Sequence, residues 1–536
     1  MLQRMQWMIG QAPRLAVLPT VLACLLAGAA AHGDVKTPAL FADHMVLQRN
    51  VPVPVWGSAD PGEKVTVSIG AQSIATTAGQ DGRWTVKLAP MQVGDPLTLT
   101  IQGRNTITIT DVVVGEVWIC SGQSNMGFPV QRAQNGTQEV ANANEPLLRL
   151  FKGGWQVAPT PQFDVKGKWE PCTPQAAAGF SAVAYFFGRE LVRDLKLPVG
   201  LIQMACDWTP AEAWMSREGL SADPEIKKAI LDRWDQIAAE YPAKKAEYDQ
   251  KRAEWEKAKA KAEADKQPVP AEPKAPSDPN FIHRATGLFN GGIAPLIPYA
   301  IRGVIWYQGE TNDSRAHQYR RLFPLLIQDW RRAWGQGDFP FLYVQISSTG
   351  PLQPDPAAIT DWHADWAEVR EAQLMAISVT NTAMAVTIDI GDGEVHPANK
   401  QDVGLRLALA ARALAYGQKV VYCGPLYDSI GIDGGKATIR FKEGHGGLVA
   451  RGGEPKGFSI AGEDRKFVAA RARIEGDTVV VWSDNVTAPA AVRYAWGNNP
   501  PCNLYNKDGL PASPFRTDDW PGNTFGKTRM FVDEQH

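Results

Sequence analysis

Gly115-Glu-Val-Trp-Ile-Cys-Ser-Gly-Gln-Ser124-Asn-Met126 is the stretch that decides how this chain folds. Its first half is an apolar run typical of a buried strand, and its second half is a small turn that contains glycine. The serine that follows the turn stands where a strand passes into a helix, a junction that lifts a hydroxyl out of a sheet towards a helix N-terminus. The pattern therefore predicts either a nucleophilic Ser124 or a serine that only caps the helix.

Two more segments end in the same way. Val304-Ile-Trp-Tyr-Gln-Gly-Glu-Thr-Asn-Asp313 is an apolar run that finishes in a polar cluster, and Thr387-Ile-Asp-Ile-Gly-Asp-Gly-Glu-Val-His-Pro397 finishes in acids and a histidine. Because the carboxyl ends of parallel strands share one edge of a sheet, where open α/β folds bind ligands, we expect all three segments to meet in one site.

These blocks together resemble the sialate O-acetylesterase family of SGNH-type serine esterases. Ser-Gly-Gln-Ser-Asn-Met at 121–126 matches the nucleophile block of that family, and Trp-Tyr-Gln-Gly-Glu-Thr-Asn at 306–312 matches its second signature. The stretches 180–191 and 209–214 and the block around His396 also look like the family. The resemblance implies a three-layer α/β/α SGNH-hydrolase domain with a parallel sheet, flanked by N-terminal and C-terminal β-sandwich-like domains.

Length and composition are those of an ordinary globular protein. The chain has 536 residues, of which 44% are hydrophobic, and a formal net charge of -2. This length exceeds a single hydrophobic core, so we expect several domains. The absence of a basic excess argues against nucleic acid as a partner. No Cys or His spacing typical of a metal site is present, and we expect neither a metal nor an organic cofactor.

The N-terminus has the pattern of a secretory signal. Arg4 and Arg14 accompany an apolar run over 15–26, and small residues follow up to Ala31. The run is shorter than the roughly 20 apolar residues that a membrane span requires. We therefore expect residues 1–31 to be removed and the mature protein to be periplasmic or secreted, without membrane attachment.

Hydrophobic periodicity divides the rest of the chain. Residues 35–111 alternate apolar and polar positions, which predicts an antiparallel β-sandwich. Residues 112–418 alternate buried strands with helices, as parallel three-layer α/β domains do. Residues 420–520 return to short strands and predict a second β-rich domain. Strands are expected at 113–120, 199–205, 302–307, 341–347 and 382–390, and helices at 181–194, 315–334, 363–376 and 399–416.

Residues 217–285 form an insertion within the predicted catalytic domain. The part over 224–266 is rich in Lys, Glu and Ala. Four aromatic residues recur there at every seventh position, on one helical face: Trp234, Tyr241, Tyr248 and Trp255. Pro242 predicts a break into a helical hairpin, followed by a stiff proline-rich linker over 267–276. A solvated helical pair on the domain surface is the favoured interpretation, and a lid or partner-binding arm is the alternative.

Ester cleavage requires a nucleophile, a base and hydrogen-bond donors for the oxyanion. Ser124 is the predicted nucleophile, and its own amide is a predicted oxyanion donor. His396 is the predicted base, because among the eight histidines of the chain it follows an apolar strand and has acidic neighbours. The acid that would orient it is open between Glu394, which fits the position of Asp in the relatives' Asp-Ile-His-Pro, and Asp392; a Ser–His pair without an acid is the third option.

The resemblance also implies residues that line the pocket and bind the acyl oxygen or the sugar. They are Gln308, Gly309, Glu310 and Asn312. Glu310 could instead orient its loop through hydrogen bonds to backbone amides, and Gln123 and Asn125, which flank the nucleophile, could do either. Asp207 and Trp208 stand where relatives commonly carry two glycines, one of which typically supplies an oxyanion N–H. A carboxylate would oppose an oxyanion, so we expect Asp207 to point away, or activity to be low, or the substrate to differ. We expect Trp208 either to stack on a sugar or to fill the core.

The expected function is that of an exported serine esterase that removes O-acetyl groups from a carbohydrate. Sialic acid is the first expected substrate. A plant polysaccharide such as xylan, xyloglucan or pectin is the alternative, and a non-catalytic carbohydrate-binding relative is a third hypothesis because of Asp207 and Trp208. Acetylated carbohydrate is thus the one expected partner; the sequence predicts no oligomeric state.

Overall fold

The computed structural model describes residues 34–357, 365–442, 446–528 and 530. The predicted signal sequence, residues 1–31, lies outside these described residues. Among the residues that are described, no helix combines the length and the apolar character needed to cross a bilayer.

Seven strands form the N-terminal part of the chain from residue 34, where the described residues begin. They are β1 (Val46–Gln48), β2 (Val53–Ser58), β3 (Lys64–Ile69), β4 (Gln72–Thr77), β5 (Arg83–Leu88), β6 (Leu97–Gln102) and β7 (Thr106–Gly122). β2 pairs with β5, while β4, β3, β6 and β7 follow one another in an antiparallel sheet. In β5 every second side chain, from Trp84 to Leu88, is buried, which is the period of two that the sequence shows.

β7 joins the N-terminal strands to the central sheet. It is 17 residues long, so the predicted boundary between residues 111 and 112 falls inside one continuous strand. The buried carboxylate of Glu116 pairs with Arg49 from the N-terminal part and with Arg302 Nε at 2.6 Å. Gln48 Nε2 also donates to this carboxylate, at 3.0 Å. A shared strand and a buried, fully bonded charge thus connect the two parts of the chain.

Six more strands complete the central sheet. They are β8 (Glu145–Lys152), β9 (Trp169–Cys172), β10 (Val199–Ala205), β11 (Gly303–Tyr307), β12 (Phe341–Gln345) and β13 (Thr382–Val386). The order is β13-β12-β11-β7-β10-β8-β9, with every pairing parallel except that of the edge strand β9. The chain fills one side of β7 first and the other side later, so the switch point of the sheet lies at the carboxyl end of β7.

Ten α-helices lie in the described part of the chain, and some of them cover both faces of this sheet. They are α1 (Ser124–Gly127), α2 (Gly136–Ala141), α3 (Pro174–Ala178), α4 (Ala182–Leu195), α5 (Arg217–Ser221), α6 (Pro224–Ile226), α7 (Asp232–Ala264), α8 (Ala316–Trp334), α9 (Asp365–Met375) and α10 (Lys400–Leu414). α4 packs with α10 and α8 packs with α9, which leaves every residue of β11 and β12 buried. The four predicted helices of the catalytic part agree with α4, α8, α9 and α10 within two residues at each end.

One predicted strand is too long. β13 ends at Val386, not at residue 390. Arg406 on α10 donates to the Val386 carbonyl at 2.6 Å and pairs with Asp389 at 2.7 Å. Because a side chain takes the last carbonyl of the strand, the next residues turn away from the sheet.

The insertion also differs from its prediction. α7 continues through Pro242 for 33 residues, so the predicted helical hairpin is wrong. Pro242 is exposed, and water can satisfy the carbonyl that loses its N–H partner there. The proline-rich segment returns along the helix: Trp255 Nε1 donates to the Pro270 carbonyl at 2.8 Å, and Arg252 pairs with Glu272 at 2.5 Å.

The C-terminal part is built from short strands. They are β14 (Tyr427–Asp433), β15 (Lys436–Phe441), β16 (Leu448–Ala450), β17 (Phe458–Ala461), β18 (Val468–Ala469), β19 (Arg471–Glu475), β20 (Thr478–Trp482), β21 (Ala491–Tyr494), β22 (Leu504–Asn506) and β23 (Phe515–Arg516). They form the sheets β14-β15-β20-β19 and β18-β17-β21-β23 and the pair β16-β22. Buried Arg370 of α9 donates to the carbonyls of Gly497 and Asn498 at 2.6 and 2.9 Å and so attaches this part to the central layer. The predicted fold class, a parallel three-layer α/β domain with β-rich regions on both sides, is confirmed.

Candidate active site

Ser124 lies just beyond the carboxyl end of β7. Gly122 ends the strand with a φ of 141°, and a Cβ on it would lie 2.1 Å from the Tyr307 carbonyl oxygen, so only glycine fits. The amide of Gln123 donates to the same carbonyl at 3.0 Å, which holds the turn against β11. Ser124 then begins α1, and the first amides of a helix have no acceptor within it. The hydroxyl therefore stands beside N–H groups that can serve an anion.

His396 meets this serine from the loop after β13. Its Nε2 lies 2.7 Å from Ser124 Oγ, across 272 positions of sequence. If the hydroxyl donates, Nε2 is the unprotonated nitrogen and Nδ1 carries the proton. Burial and the positive charge of Lys400 lower the pKa of His396, which keeps the imidazole neutral and able to accept a proton near neutral pH.

The two acids predicted to orient His396 do not bond to it. Within the described residues, the Ser124 hydroxyl is the only hydrogen-bond partner of that imidazole. Asp392 accepts instead from the amides of Glu394 and Ala398, at 3.1 and 3.3 Å. Glu394 is exposed. The carboxylate of Asp392 thus stabilises its own tight turn, and the carboxylate of Glu394 lies in solvent. Neither carboxylate bonds to the imidazole, although the sequence spacing suggested that one would.

A buried network lies behind the serine and histidine. Its centre is Asn125, whose Nδ2 donates to Glu310 at 2.6 Å and to the Val395 carbonyl at 2.9 Å. Lys400 Nζ donates to Asn125 Oδ1 at 2.6 Å. Because Val395 directly precedes His396, the side chain of Asn125 ties the histidine loop to the helix of the nucleophile.

Lys400 is the residue of this network that the sequence reasoning missed. Burial lowers its pKa to about 7 and raises the pKa of Glu310. The rings of Phe128 and Tyr307 lie 5.0 and 5.3 Å from Nζ and favour its charged form. The sequence contained one signal for this residue. The helix dipole favours acidic residues in the first turn, so a lysine in the first turn of α10 is unexpected.

Gln308, Gly309 and Asn312 form the wall behind the cavity and do not line it. Asn312 Oδ1 accepts from Gln308 Nε2 at 2.7 Å and from the Ala211 amide at 3.0 Å. Gly309 packs so tightly that an added Cβ would lie 2.9 Å from Gln373 Nε2. The side-chain polar atoms of Gln308, Asn312 and Asn125 already bind protein groups, so these side chains are not placed to bind the acyl oxygen. Asn125 instead has the orienting role that was the alternative for it.

A cavity of about 450 Å³ opens over Ser124 and His396, a size typical of small-molecule sites. Its lining includes Gln123, Glu310, Asp207, Trp208, Asp313, Trp366 and, from the insertion, Trp234. Asp207 is exposed in this cavity, and its negative charge favours the protonated form of His396. Asp207 is thus part of the cavity, and the three expectations for its carboxylate stay predictions.

Acidic residues outnumber lysine and arginine in the described lining of the cavity. It contains Asp207, Glu212, Glu310 and Asp313, and burial raises the pKa of Glu310 and of Asp313. Arg315 is the only lysine or arginine in that described lining. Its guanidinium pairs with Glu212 and donates to Gln318 Oε1 at 2.7 Å.

A parallel α/β sheet with a serine and a histidine hydrogen-bonded at its carboxyl edge defines a hydrolase of the serine-esterase class. Residues 280–415 match the family model of the sialic acid-specific acetylesterase type of carbohydrate esterase. The sialate O-acetylesterases of Pongo abelii and Homo sapiens are each 30% identical to the chain, over 89% of this chain and 92% of each relative. A solved carbohydrate acetylesterase from Xanthomonas citri superposes with a TM-score of 0.76 at 37% identity, over 91% of this chain and 100% of that one. The chain therefore belongs to the sialate O-acetylesterase family, and it is an esterase.

Proposed function

We propose that this protein is an exported carbohydrate O-acetylesterase with Ser124 as its nucleophile and His396 as its general base. The observation that carries the proposal is the 2.7 Å contact between Oγ and Nε2 at the floor of the cavity. His396 takes the hydroxyl proton as Oγ attacks the acetyl carbonyl, and returns it to the sugar oxygen as that oxygen leaves. His396 then takes a proton from water, which attacks the acetyl-serine and releases acetate, and Ser124 regains its proton.

Two acidic side chains partly offset the effects of burial and of Lys400 on His396. Asp207 and Glu394 both favour the imidazolium that forms during each half-reaction, and Asp207 has the larger effect. The Phe128 ring lies nearly parallel to the imidazole, at 28° and with a centroid distance of 6.3 Å, which restricts the orientation of His396. The amides at the start of α1 are the proposed donors to the oxyanion.

The sugar has two candidates. Sialic acid is the first, because the curated relatives are named sialate O-acetylesterases. The acidic residues of the lining favour the second, an uncharged sugar such as that of xylan or xyloglucan. A sialic acid carboxylate would face Asp207 and Asp313, and the cation of the described lining, Arg315, is already paired with Glu212. An uncharged ring avoids this repulsion.

Acetate release tests the proposal. Wild type and Ser124→Ala are compared on O-acetylated sialic acid and on acetylated xyloglucan oligosaccharides. We expect wild type to release acetate from at least one of them and Ser124→Ala to be slower by ~10³-fold or more. Release that is unaffected by Ser124→Ala would refute the nucleophile assignment. A wild type that releases no acetate from either would refute these two acetylated sugars as its substrates.

Export is the remaining part of the proposal and is supported by the charge and apolar pattern of residues 1–31. N-terminal sequencing of the mature protein from its native host tests it. A mature chain that starts just after Ala31 is the expected result, and a retained Met1 would contradict it.

A further inference from the structure

Trp208 has a backbone conformation that a large side chain rarely adopts. Its φ is 56°, in the left-handed region where the Cβ of an L-residue approaches the following carbonyl oxygen. The side chain does not compensate by burial, since 48% of the residue remains exposed. A strained, exposed tryptophan next to an active site points to a functional role.

Two aromatic residues at the end of the insertion hold Trp208 in this conformation. His283 Nε2 donates to the Trp208 carbonyl at 2.6 Å. The rings of His283 and Phe281 meet the indole edge to face, with centroids at 4.8 and 5.8 Å, and lie 4.7 Å from each other. We call Trp208, Phe281 and His283 the aromatic platform. Burial lowers the pKa of His283, so the imidazole is neutral and its protonated nitrogen faces the carbonyl.

The aromatic platform and the serine–histidine pair share one cavity. Trp208 and His283 line the same space of about 450 Å³ as Ser124 and His396. An acetyl group fills only a small part of that volume, so the remainder must receive the alcohol part of the ester. The insertion contributes to the cavity, since Trp234 of α7 also lines it.

We propose that the aromatic platform is the subsite for the sugar ring that carries the acetyl group, with the indole of Trp208 stacked on the C–H face of that ring. A pyranose face of axial C–H groups is apolar and slightly positive, and it complements the negative face of an indole. The hydroxyl groups at the ring edge then meet the polar lining around Asp207 and Asp313. The inference rests on the proposed function for one point only, that the alcohol part of the ester is a carbohydrate.

Substitutions that accept a left-handed backbone test the subsite without disturbing the fold. Trp208→Asn and Trp208→Gly both tolerate a positive φ and remove the indole. For acetylated xyloglucan oligosaccharides we expect these variants to have a lower kcat/KM, mainly because KM is higher. The loss should be about 10-fold larger than the loss for ethyl acetate, which has no ring to stack. Trp208→Phe keeps an aromatic face and should lose less than Trp208→Asn. The matched control is Trp155→Asn, which replaces a tryptophan of similar exposure, 44%, outside the cavity lining; it should keep the wild-type ratio of the two substrates.

A binding measurement separates this inference from the proposed function. Calorimetric titration of deacetylated xyloglucan oligosaccharide into Ser124→Ala and into Ser124→Ala/Trp208→Asn should give a Kd that is about 10-fold higher for the second protein. Near-UV circular dichroism verifies that both are folded. An unchanged Kd together with an unchanged substrate ratio overturns the aromatic platform as a subsite, even if acetate release is normal. If binding depends on Trp208 but the wild type releases no acetate from acetylated xyloglucan, the subsite is kept and the proposed acetylated substrate is refuted.

Discussion

The two loops that frame Ser124 are both acidic, but they are built in opposite ways. The loop after β11 buries Glu310 and Asn312 and bonds them to neighbouring elements. The loop after β13 leaves Asp392 and Glu394 exposed. This second loop contacts the nucleophile helix α1 through the main-chain carbonyl of Val395 and the imidazole of His396. An acid that is two residues from the histidine in sequence is thus less important to the local structure than one that comes from a different strand.

The buried loop should be the more sensitive of the two. Glu310→Ala removes the carboxylate that most favours the charged form of buried Lys400, and removes one acceptor of Asn125. Leaving a buried donor unsatisfied costs about 1–3 kcal/mol, and the displaced Asn125 would misplace the histidine loop. We expect a clear fall in Tm and a loss of kcat/KM of about 10²-fold, measured by thermal unfolding and acetate release. Glu310→Gln, which keeps the shape and one acceptor oxygen, should recover most of both. Wild-type Tm and activity in Glu310→Ala would show that the network is dispensable.

Lys400→Met tests the same buried network through pH. The lysine charge helps to lower the pKa of His396 below 6.5. A base must be unprotonated, so activity falls as pH drops through that pKa, and the lowered value extends activity to weakly acidic pH. Without the charge the pKa of His396 rises, and the acid limb of the kcat/KM profile should move to higher pH. A limb at the wild-type position would exclude this electrostatic role.

Lys400 also makes the free energy of unfolding of the wild type depend on pH. Lys400 has a pKa of about 7 when folded and 10.5 when unfolded. Between these values the unfolded chain binds the proton and the folded chain does not, so this group makes the free energy of unfolding rise as pH increases across that window. Urea unfolding of wild type should show the rise, and Lys400→Met should show a flatter dependence.

Asp392→Ala should have an intermediate effect. Its carboxylate accepts from two amides of the exposed loop, and losing such a local turn bond costs roughly 1 kcal/mol. We expect kcat/KM to fall by about 3- to 10-fold because His396 is less well placed, with little change in Tm. Asp392→Asn retains an acceptor and serves as the control. If Asp392→Asn loses as much kcat/KM as Asp392→Ala, the carboxylate charge, and not the turn, is what matters.

Glu394→Ala should have the smallest effect. The side chain is exposed and has no hydrogen bond to His396 in the described structure, so only a screened charge is lost. We expect kcat/KM to stay within about 3-fold of wild type at physiological salt. A loss above 10²-fold would mean that Glu394 contacts the imidazole in solution and is the orienting acid after all.

Much of this fold is readable from local pattern. Strands with alternating or continuous apolar residues, and helices with a 3.6-residue period, appear where the pattern predicts them, because each element must bury its own apolar face. The prediction failed at residue 242, where proline sits on an exposed helix surface, and at residue 386, where Arg406 ends β13. Both failures depend on surroundings that no short window of sequence contains.

The candidate site likewise has one part that the sequence predicts and another that depends on tertiary contacts. Motif and strand-end position are enough to select Ser124 and His396, because a parallel sheet places the carboxyl ends of its strands at one edge. Only the folded chain decides that Lys400 and Glu310 share the Asn125 amide, that Asp392 serves its own turn, and that His283 holds Trp208 in a left-handed conformation. The physical reason is that hydrogen-bond partners and desolvation are set by groups from distant strands and loops, whereas periodicity and turn chemistry are set by neighbours along the chain.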